Sequence, residues 1–178
     1  MIPRPAFTVF HLDGERGFRG GERQLLYLAA ALRARGHQNV VCGRAGAELE
    51  AQAQRQGFET LGLPYHFEFD PLTAWTVARA AAARRRPVIH AHTAHAAGIA
   101  AVCRLLGAPK PVAHRRVDFS LRAGLSRRFK YETAGRVVAV SEAIAAVLER
   151  DGLSRRQVAV VADAVPVTLE EAAWTGMA

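Results

Sequence analysis

Seven short apolar runs, each bounded by chain breakers and most of them joined by a stretch with helical spacing, dictate most of what this chain can become. The runs are Ala6–Leu12, Asn39–Cys42, Phe58–Leu61, Pro87–His92, Pro111–His114, Arg136–Val140 and Val158–Val161. Each is only a few residues long, β-branched and closed near a Gly, Pro, Ser or Asp, which is how a buried strand reads. Between them lie Glu22–Arg35, Ala47–Gln56, Leu72–Arg85, His95–Leu106, Ser120–Thr133 and Ser141–Arg150. In the first of these, Leu25, Leu26, Leu28, Ala29 and Leu32 recur at helical intervals, and Gly36 ends the pattern. Strands without polar alternation need cover on both faces, and helical crossovers supply it, so the chain reads as a parallel, doubly wound α/β sheet of about seven strands. Functional loops are then expected at the C-terminal ends of the strands.

The 178 residues are the size of one domain. Half are hydrophobic but only 7% are aromatic, so Ala, Leu and Val build the core. No run of about 18 or more apolar residues exists, which excludes a membrane-spanning helix, and the first five residues are too few and too polar for a secretory signal. Two cysteines, Cys42 and Cys103, lie in apolar stretches and read as buried free thiols in a cytoplasmic protein. A net charge of +8 asks for an anionic partner: nucleic acid, an acidic membrane face or phosphorylated metabolites.

Three places can carry chemistry. The first strand is followed by Asp13-Gly14-Glu15-Arg16-Gly17-Phe18-Arg19-Gly20-Gly21-Glu22, a glycine-rich turn into a helix. It reads either as a flexible turn or as a phosphate-facing loop, because glycines admit close approach and free N–H groups at a helix start attract anions. It lacks the Lys and Ser/Thr of a nucleotide-triphosphate loop. The fourth strand ends in His90-Ala91-His92-Thr93-Ala94-His95. A His-x-His-x-x-His run could bind zinc, could be packed structurally, or could place an imidazole at the active edge of the sheet; no carboxylate stands beside the third histidine, and no metal site is expected. The third place is the basic stretch His114-Arg115-Arg116, running into a helix with Arg122, Arg127, Arg128 and Lys130 and an apolar stripe of Phe119, Leu121, Leu125 and Phe129. It reads as a surface helix docked on the sheet or as a face for an anionic acceptor or membrane.

Four segments in order resemble the N-terminal domain of family 4 glycosyltransferases of the GT-B fold: Arg19-Gly20-Gly21-Glu22-Arg23-Gln24-Leu25, Val88-Ile89-His90-Ala91-His92-Thr93, Arg136 to Ala143, and Gln157 to Val165. The resemblance covers nearly the whole chain. It implies residues 1–165 as an acceptor-side Rossmann-like domain, with 166–178 a linker or the start of a C-terminal donor-binding domain that the chain lacks. It further implies a retaining transferase, inactive as this half alone, that moves a sugar from a nucleotide-sugar donor to an anionic lipid-linked or saccharide acceptor of the cell-envelope polysaccharide type. No cofactor or obligatory metal and no nucleic acid are implied, and the place is the cytoplasm with peripheral contact to the inner face of the membrane. By the same resemblance Gly20 and Gly21 face the donor phosphates, His92 sits at the reaction centre, and Arg115, Arg116 and Glu22 face the acceptor. The family's last strand ends in Asn-Gly-Val-Asp, where this chain has Asp163-Ala164-Val165-Pro166. A non-catalytic nucleotide- or anion-binding module is the alternative, and a metal-dependent hydrolase built on the histidine run a more distant one.

Overall fold

The computed structural model describes residues 6–119 and 125–164. Strands and helices alternate along them: β1 (Thr8–Asp13), α1 (Gly20–Ala34), β2 (Gln38–Gly43), α2 (Glu48–Arg55), β3 (Glu59–Thr60), α3 (Pro71–Ala82), β4 (Pro87–Ala91), α4 (Ala94–Leu105), β5 (Val112–Arg115), α5 (Leu125–Glu132), β6 (Arg136–Ala139), α6 (Glu142–Arg150) and β7 (Val158–Val160). Every strand pairing is parallel, and the order across the sheet is β3-β2-β1-β4-β5-β6-β7. The order reverses between β1 and β4, which are neighbours in register with Phe10 opposite Ile89 and His11 opposite His90. This is the doubly wound, Rossmann-like architecture expected from the sequence.

The boundaries move by a few residues for physical reasons. The helix expected from Glu22 begins at Gly20, so both glycines lie in its first turn, where the N–H groups have no intrahelical partners. The expected third strand shrinks to two residues. The helix expected over Leu72–Arg85 starts one residue earlier at Pro71, which needs no N–H there, and Asp70 caps it by accepting from Leu72 and Thr73 N–H. Ser141 caps α6 as expected, its hydroxyl accepting from Ile144 N–H at 3.3 Å. Gly36 stops α1 at φ 84°, a conformation other residues adopt at a cost. The first residues of the expected fifth helix, Ser120–Gly124, and the expected linker 166–178 lie outside the described residues.

The two faces of the sheet are covered unequally. On one, Phe10, Leu12, Ile89, Ala91, Ala113, Val137 and Ala139 pack against Ala74, Val77, Ile99, Cys103, Tyr131 and Leu148 from α3 to α6. On the other, a smaller cluster of Leu25, Leu26, Ala29, Val41, Leu49, Ala53 and Phe58 seats α1 and α2 over β2 and its neighbours. Beyond α1, a cavity of about 450 Å³ separates Gln24, Tyr27, Leu28 and Ala31 from His90, His114, Arg116 and Val138 of the central strands. Both cysteines are buried free thiols, and burial pushes them up, Cys103 to about 12. Among the described residues no helix is long and apolar enough to cross a membrane.

One close approach fixes how α4 meets the segment before α3. A Cβ built on Gly98 would collide with the backbone carbonyl of Glu68. Backbone cannot yield as a side-chain tip does. Gly98→Ala is therefore expected to cost about 3 kcal/mol by forced displacement of packed elements, read as a lowered denaturation midpoint at unchanged slope. A change below about 0.5 kcal/mol would show that the two segments separate freely.

Candidate functional site

The crevice at the C-terminal ends of β1 and β4 lies at the point where the strand order reverses, the place where open α/β sheets bind ligands. Two helices start there. α1 follows the glycine-rich loop, with Arg19 N–H donating to the Glu22 carboxylate at 2.7 Å. α4 follows β4, with Thr93 as N-cap accepting from Ala96 N–H at 3.2 Å. The loop and the α4 start enclose a cavity of about 430 Å³ lined by Gly14, Glu15, Arg16, Gly17, Arg19, Glu22, Arg44, Thr93 and His95. Two helix N-termini and three arginines outweigh Glu15 and Glu22 and leave it a net positive character suited to phosphate or carboxylate. Open space surrounds the Cβ positions of Gly20 and Gly21, so a ligand can approach their backbone. Gly14 is different: a Cβ there would meet the Tyr65 ring at 2.7 Å. Arg44 locks this corner by donating to the carbonyls of Gly14, Pro64 and Tyr65 at 3.1, 2.8 and 2.8 Å.

His92 leaves β4 beside this cavity and at the same end of the sheet as Gly20 and Gly21. Its N–H donates to the Leu12 carbonyl at 2.9 Å, which ties it to β1. Its ring is not open to solvent: it is 4% exposed, and its Nε2 lies 3.1 Å from His11 Nδ1. Its Nδ1 has no partner. Four imidazoles meet here on one sheet face, because His11 of β1, His90 and His92 of β4 and His114 of β5 fall at alternating positions on adjacent strands. Ring centroids are 4.2 Å apart for His90 and His92, 5.3 Å for His11 and His92, and 5.6 Å for the stacked pair His90 and His114. Burial holds all four well below the usual histidine value, with His11 and His114 down to about 4, and the Arg116 charge pushes His90, His92 and His114 the same way. They are neutral rings at neutral pH. Asp13, next along the same face of β1, is fully buried, and burial raises its carboxyl to about 7 even though Glu15 N–H donates to it.

The basic residues divide between the two faces. Arg116 donates bidentately to Asp163 at 2.9 and 3.4 Å and to the His92 carbonyl at 3.2 Å. With Ala164 N–H donating to Gln24, it ties the chain leaving β7 to β4 and α1. Arg115 points the other way. It is 5% exposed and donates to the Tyr131 hydroxyl at 3.1 Å and to the Phe119 carbonyl. Glu22 is 4% exposed and closes the first turn of α1. The structure thus brings Gly20, Gly21, Glu22, His92 and Arg116 to one edge of the sheet and sets Arg115 under α5. Lys130 is buried and pairs with Glu68, so the basic helix is not solvated along its whole length.

Sequence reasoning missed His11, Asp13, Asn39 and Asp163 as parts of this site. The available signal was a polar residue at every second position of a central strand, His11 and Asp13 in β1 matching His90 and His92 in β4. Such residues cost burial energy unless they have a task. His95, third in the sequence run, goes elsewhere, its ring edge-on to Tyr65 at 5.7 Å.

The fold has known counterparts. HepE of Anabaena, solved in complex with UDP-glucose, superposes with a TM-score of 0.72 at 18% identity, over 89% of this chain and 44% of that one. A glycosyltransferase from Rickettsia africae gives 0.69 at 16% identity, over 89% and 43%. MurG of Acinetobacter baumannii gives 0.65 at 14%, over 91% and 47%. The seven-strand sheet corresponds to the N-terminal half of these GT-B glycosyltransferases, and the chain spans less than half of each of their lengths. No curated protein sequence matches the chain. The model of Glycosyltransferase Family 4 matches residues 18–169, most of the chain, and the chain belongs to that family.

Proposed function

We propose that this chain is the acceptor-side half of a retaining glycosyltransferase that moves a hexose from a nucleotide sugar to an anionic lipid-linked or saccharide acceptor. The observation that carries the reading is the positive cavity at the switch point, where two helix N-termini, Arg16, Arg19 and Arg44 face one space beside His92. The backbone N–H groups at Gly20 and Gly21 receive the donor phosphates. His92 contributes a neutral imidazole whose Nδ1 is left to hydrogen-bond a sugar or acceptor hydroxyl. Arg116 holds the β4 exit and Asp163 in place, and faces the acceptor side. Glu22 supports the phosphate loop by capping α1, and Arg115 fixes the segment that carries the exposed Val117 and Phe119. Those two apolar side chains beside a basic stretch suit a lipid-linked acceptor at the inner face of a membrane. The sugar chemistry needs no bound metal in this reading, and residues 1–165 act with a donor-binding domain.

The test is transfer from UDP-, GDP- and ADP-sugars by the longest protein that contains this chain, with the anomeric configuration of the product read by NMR. Retained configuration and no multiple turnover by residues 1–178 alone are expected, because the reacting groups must be held in register from both sides of a cleft. A folded long protein that hydrolyses or transfers none of these donors, or one that inverts the anomeric centre, would overturn the reading.

A further inference from the structure

The four buried imidazoles are more than an active-site edge requires. The sheet withholds them from water and leaves half of their eight ring nitrogens without a hydrogen-bond partner: His90 Nε2, His92 Nδ1 and both nitrogens of His114, whose Nε2 lies 3.9 Å from the Asp163 carboxylate. A buried polar group without a partner costs about 1–3 kcal/mol, and His90 Nε2 is such a group within a set of three close imidazoles. Within the cluster, His11, His90 and His92 each offer a nitrogen within 4.8 Å of the others. We propose that His11, His90 and His92 form a binding site for one zinc-like transition-metal ion, set into the sheet face beneath α1.

The tautomer of His11 is fixed by its surroundings. Asn39 Nδ2 donates to the His37 carbonyl at 3.0 Å, which turns Asn39 Oδ1 toward His11, where it accepts from Nε2–H at 2.9 Å. His11 Nδ1 is therefore a bare lone pair. Ligating histidines are held this way, by a second hydrogen bond from the opposite ring nitrogen. His11 Nδ1 and His92 Nε2 stand 3.1 Å apart. Two nitrogens bound to one tetrahedral zinc at about 2.0–2.1 Å lie about 3.3 Å apart, so this edge already has nearly the spacing of a coordination polyhedron. The third ligand is His90, within 4.8 Å of the other two, and since its Nε2 has no partner a turn of its ring toward the ion breaks no hydrogen bond there. An all-imidazole set selects zinc, copper, nickel or cobalt over magnesium or calcium, which take oxygen ligands.

The site has a route in and local charge balance. His90 and His114 line the cavity of about 450 Å³ beneath α1, which leads to the cluster from the side that α1 leaves uncovered. His114 stacks on His90 with the planes 3° apart and packs that ring from the β5 side. Arg116 is the nearby cation, and its charge is paired with Asp163. The Asp13 carboxyl, on the same face of β1, is buried nearby. Metal binding through His92 Nε2 replaces its hydrogen bond to His11 and shifts the ring proton to Nδ1, which can still donate to a hydroxyl, so the site neither depends on the sugar-transfer reading nor opposes it.

The test is cobalt titration of chelator-stripped protein. The wild type is expected to bind one Co²⁺ per chain with the intense visible absorption of a tetrahedral nitrogen site, and Zn²⁺ to displace it and raise the melting temperature. His90→Ala and His11→Ala should each weaken binding by a factor on the order of a hundred or more, and Asn39→Ala by about 10–100-fold. His66→Ala, an exposed histidine outside the cluster, should leave it unchanged. Should the ligand variants fail to fold, X-ray absorption of the zinc-loaded wild type must show about three imidazole nitrogens at about 2.0 Å. No binding by the folded wild type, a weak octahedral spectrum, a zinc shell without three imidazoles, or affinity that survives both His90→Ala and His11→Ala would overturn the site.

Discussion

Replacing His92 with alanine in the enzyme that contains this chain is expected to lower turnover by roughly a hundredfold or more. The expectation follows from its place at the β4 exit, beside the positive cavity, with Nδ1 unpartnered. Losing one hydrogen bond that is strengthened in the transition state costs on the order of 2–4 kcal/mol, and about 1.4 kcal/mol is a factor of ten in rate. A strand-end ring that points into the crevice instead of the core would change stability by only about 1 kcal/mol when lost. The structure revises this. His92 is buried against His11 and His90, so its removal also leaves His11 Nδ1 without its partner, at a cost of about 1–3 kcal/mol. His90→Ala is the contrasting variant: it lines the cavity beneath α1, and its loss should lower the melting temperature with a smaller effect on kcat. Steady-state kinetics and melting curves of both variants decide it. Near-normal turnover for a folded His92→Ala enzyme would remove His92 from the reaction.

The sheet was legible because its signals are local. Runs such as Val88-Ile89 and Val137-Val138 cannot be solvated, and Gly36 marks a helix end wherever it falls. The site was legible only where it is contiguous. Gly20, Gly21 and His92 lie in motifs a few residues long, and the topology brings them to one edge because parallel strands point their C-termini the same way. The histidine cluster was not legible, since it depends on register: His11 opposite His90 is a fact of β1–β4 pairing and of no single segment. The same limit hid how Arg115 and Arg116 divide. Adjacent strand-end residues face opposite sides, so the pair read as one basic patch splits into a salt bridge with Asp163 and a buried contact with Tyr131. The departure at Asp163-Ala164 also gains meaning only in three dimensions, where Asp163 becomes the partner of Arg116 and Ala164 N–H bonds Gln24 of α1.

The corner behind the glycine loop rests on one carboxylate, and Asp70→Ala is expected to cost about 3–4 kcal/mol. Asp70 is buried and accepts from Leu72 N–H at 3.0 Å, Thr73 N–H at 3.4 Å, His66 N–H at 3.2 Å and the Thr73 hydroxyl at 2.7 Å. That hydroxyl in turn accepts from Tyr65 N–H at 3.2 Å. Alanine removes an N-cap, worth about 0.5–2 kcal/mol, and strands further donors whose bonds to a charged group are worth about 1.5–3 kcal/mol each; the terms overlap, which keeps the total below their sum. For a domain of this size the loss is a fall of roughly 10 °C in melting temperature. Acid should reproduce part of it. Burial alone would raise the Asp70 carboxyl, but the Thr73 hydroxyl and the three N–H donors outweigh it and hold it below the ordinary carboxylate value. A depressed folded value means that the stabilisation is complete above the unfolded carboxylate range and disappears as pH falls through the folded one. Wild-type stability should therefore drop on acidification more steeply than that of Asp70→Asn, which keeps an acceptor but cannot titrate. The consequence reaches the site because Tyr65, held by this network, packs its ring under Gly14 and donates its hydroxyl to the Cys42 carbonyl at 2.8 Å. In an active enzyme Asp70→Asn should then raise KM for the donor by a few-fold while leaving kcat nearly unchanged, since it loosens the loop that receives the phosphates and touches no reacting atom. Equal acid sensitivity in the two proteins, or a melting loss below about 1 kcal/mol for the alanine variant, would show that the loop is held by Arg44 alone.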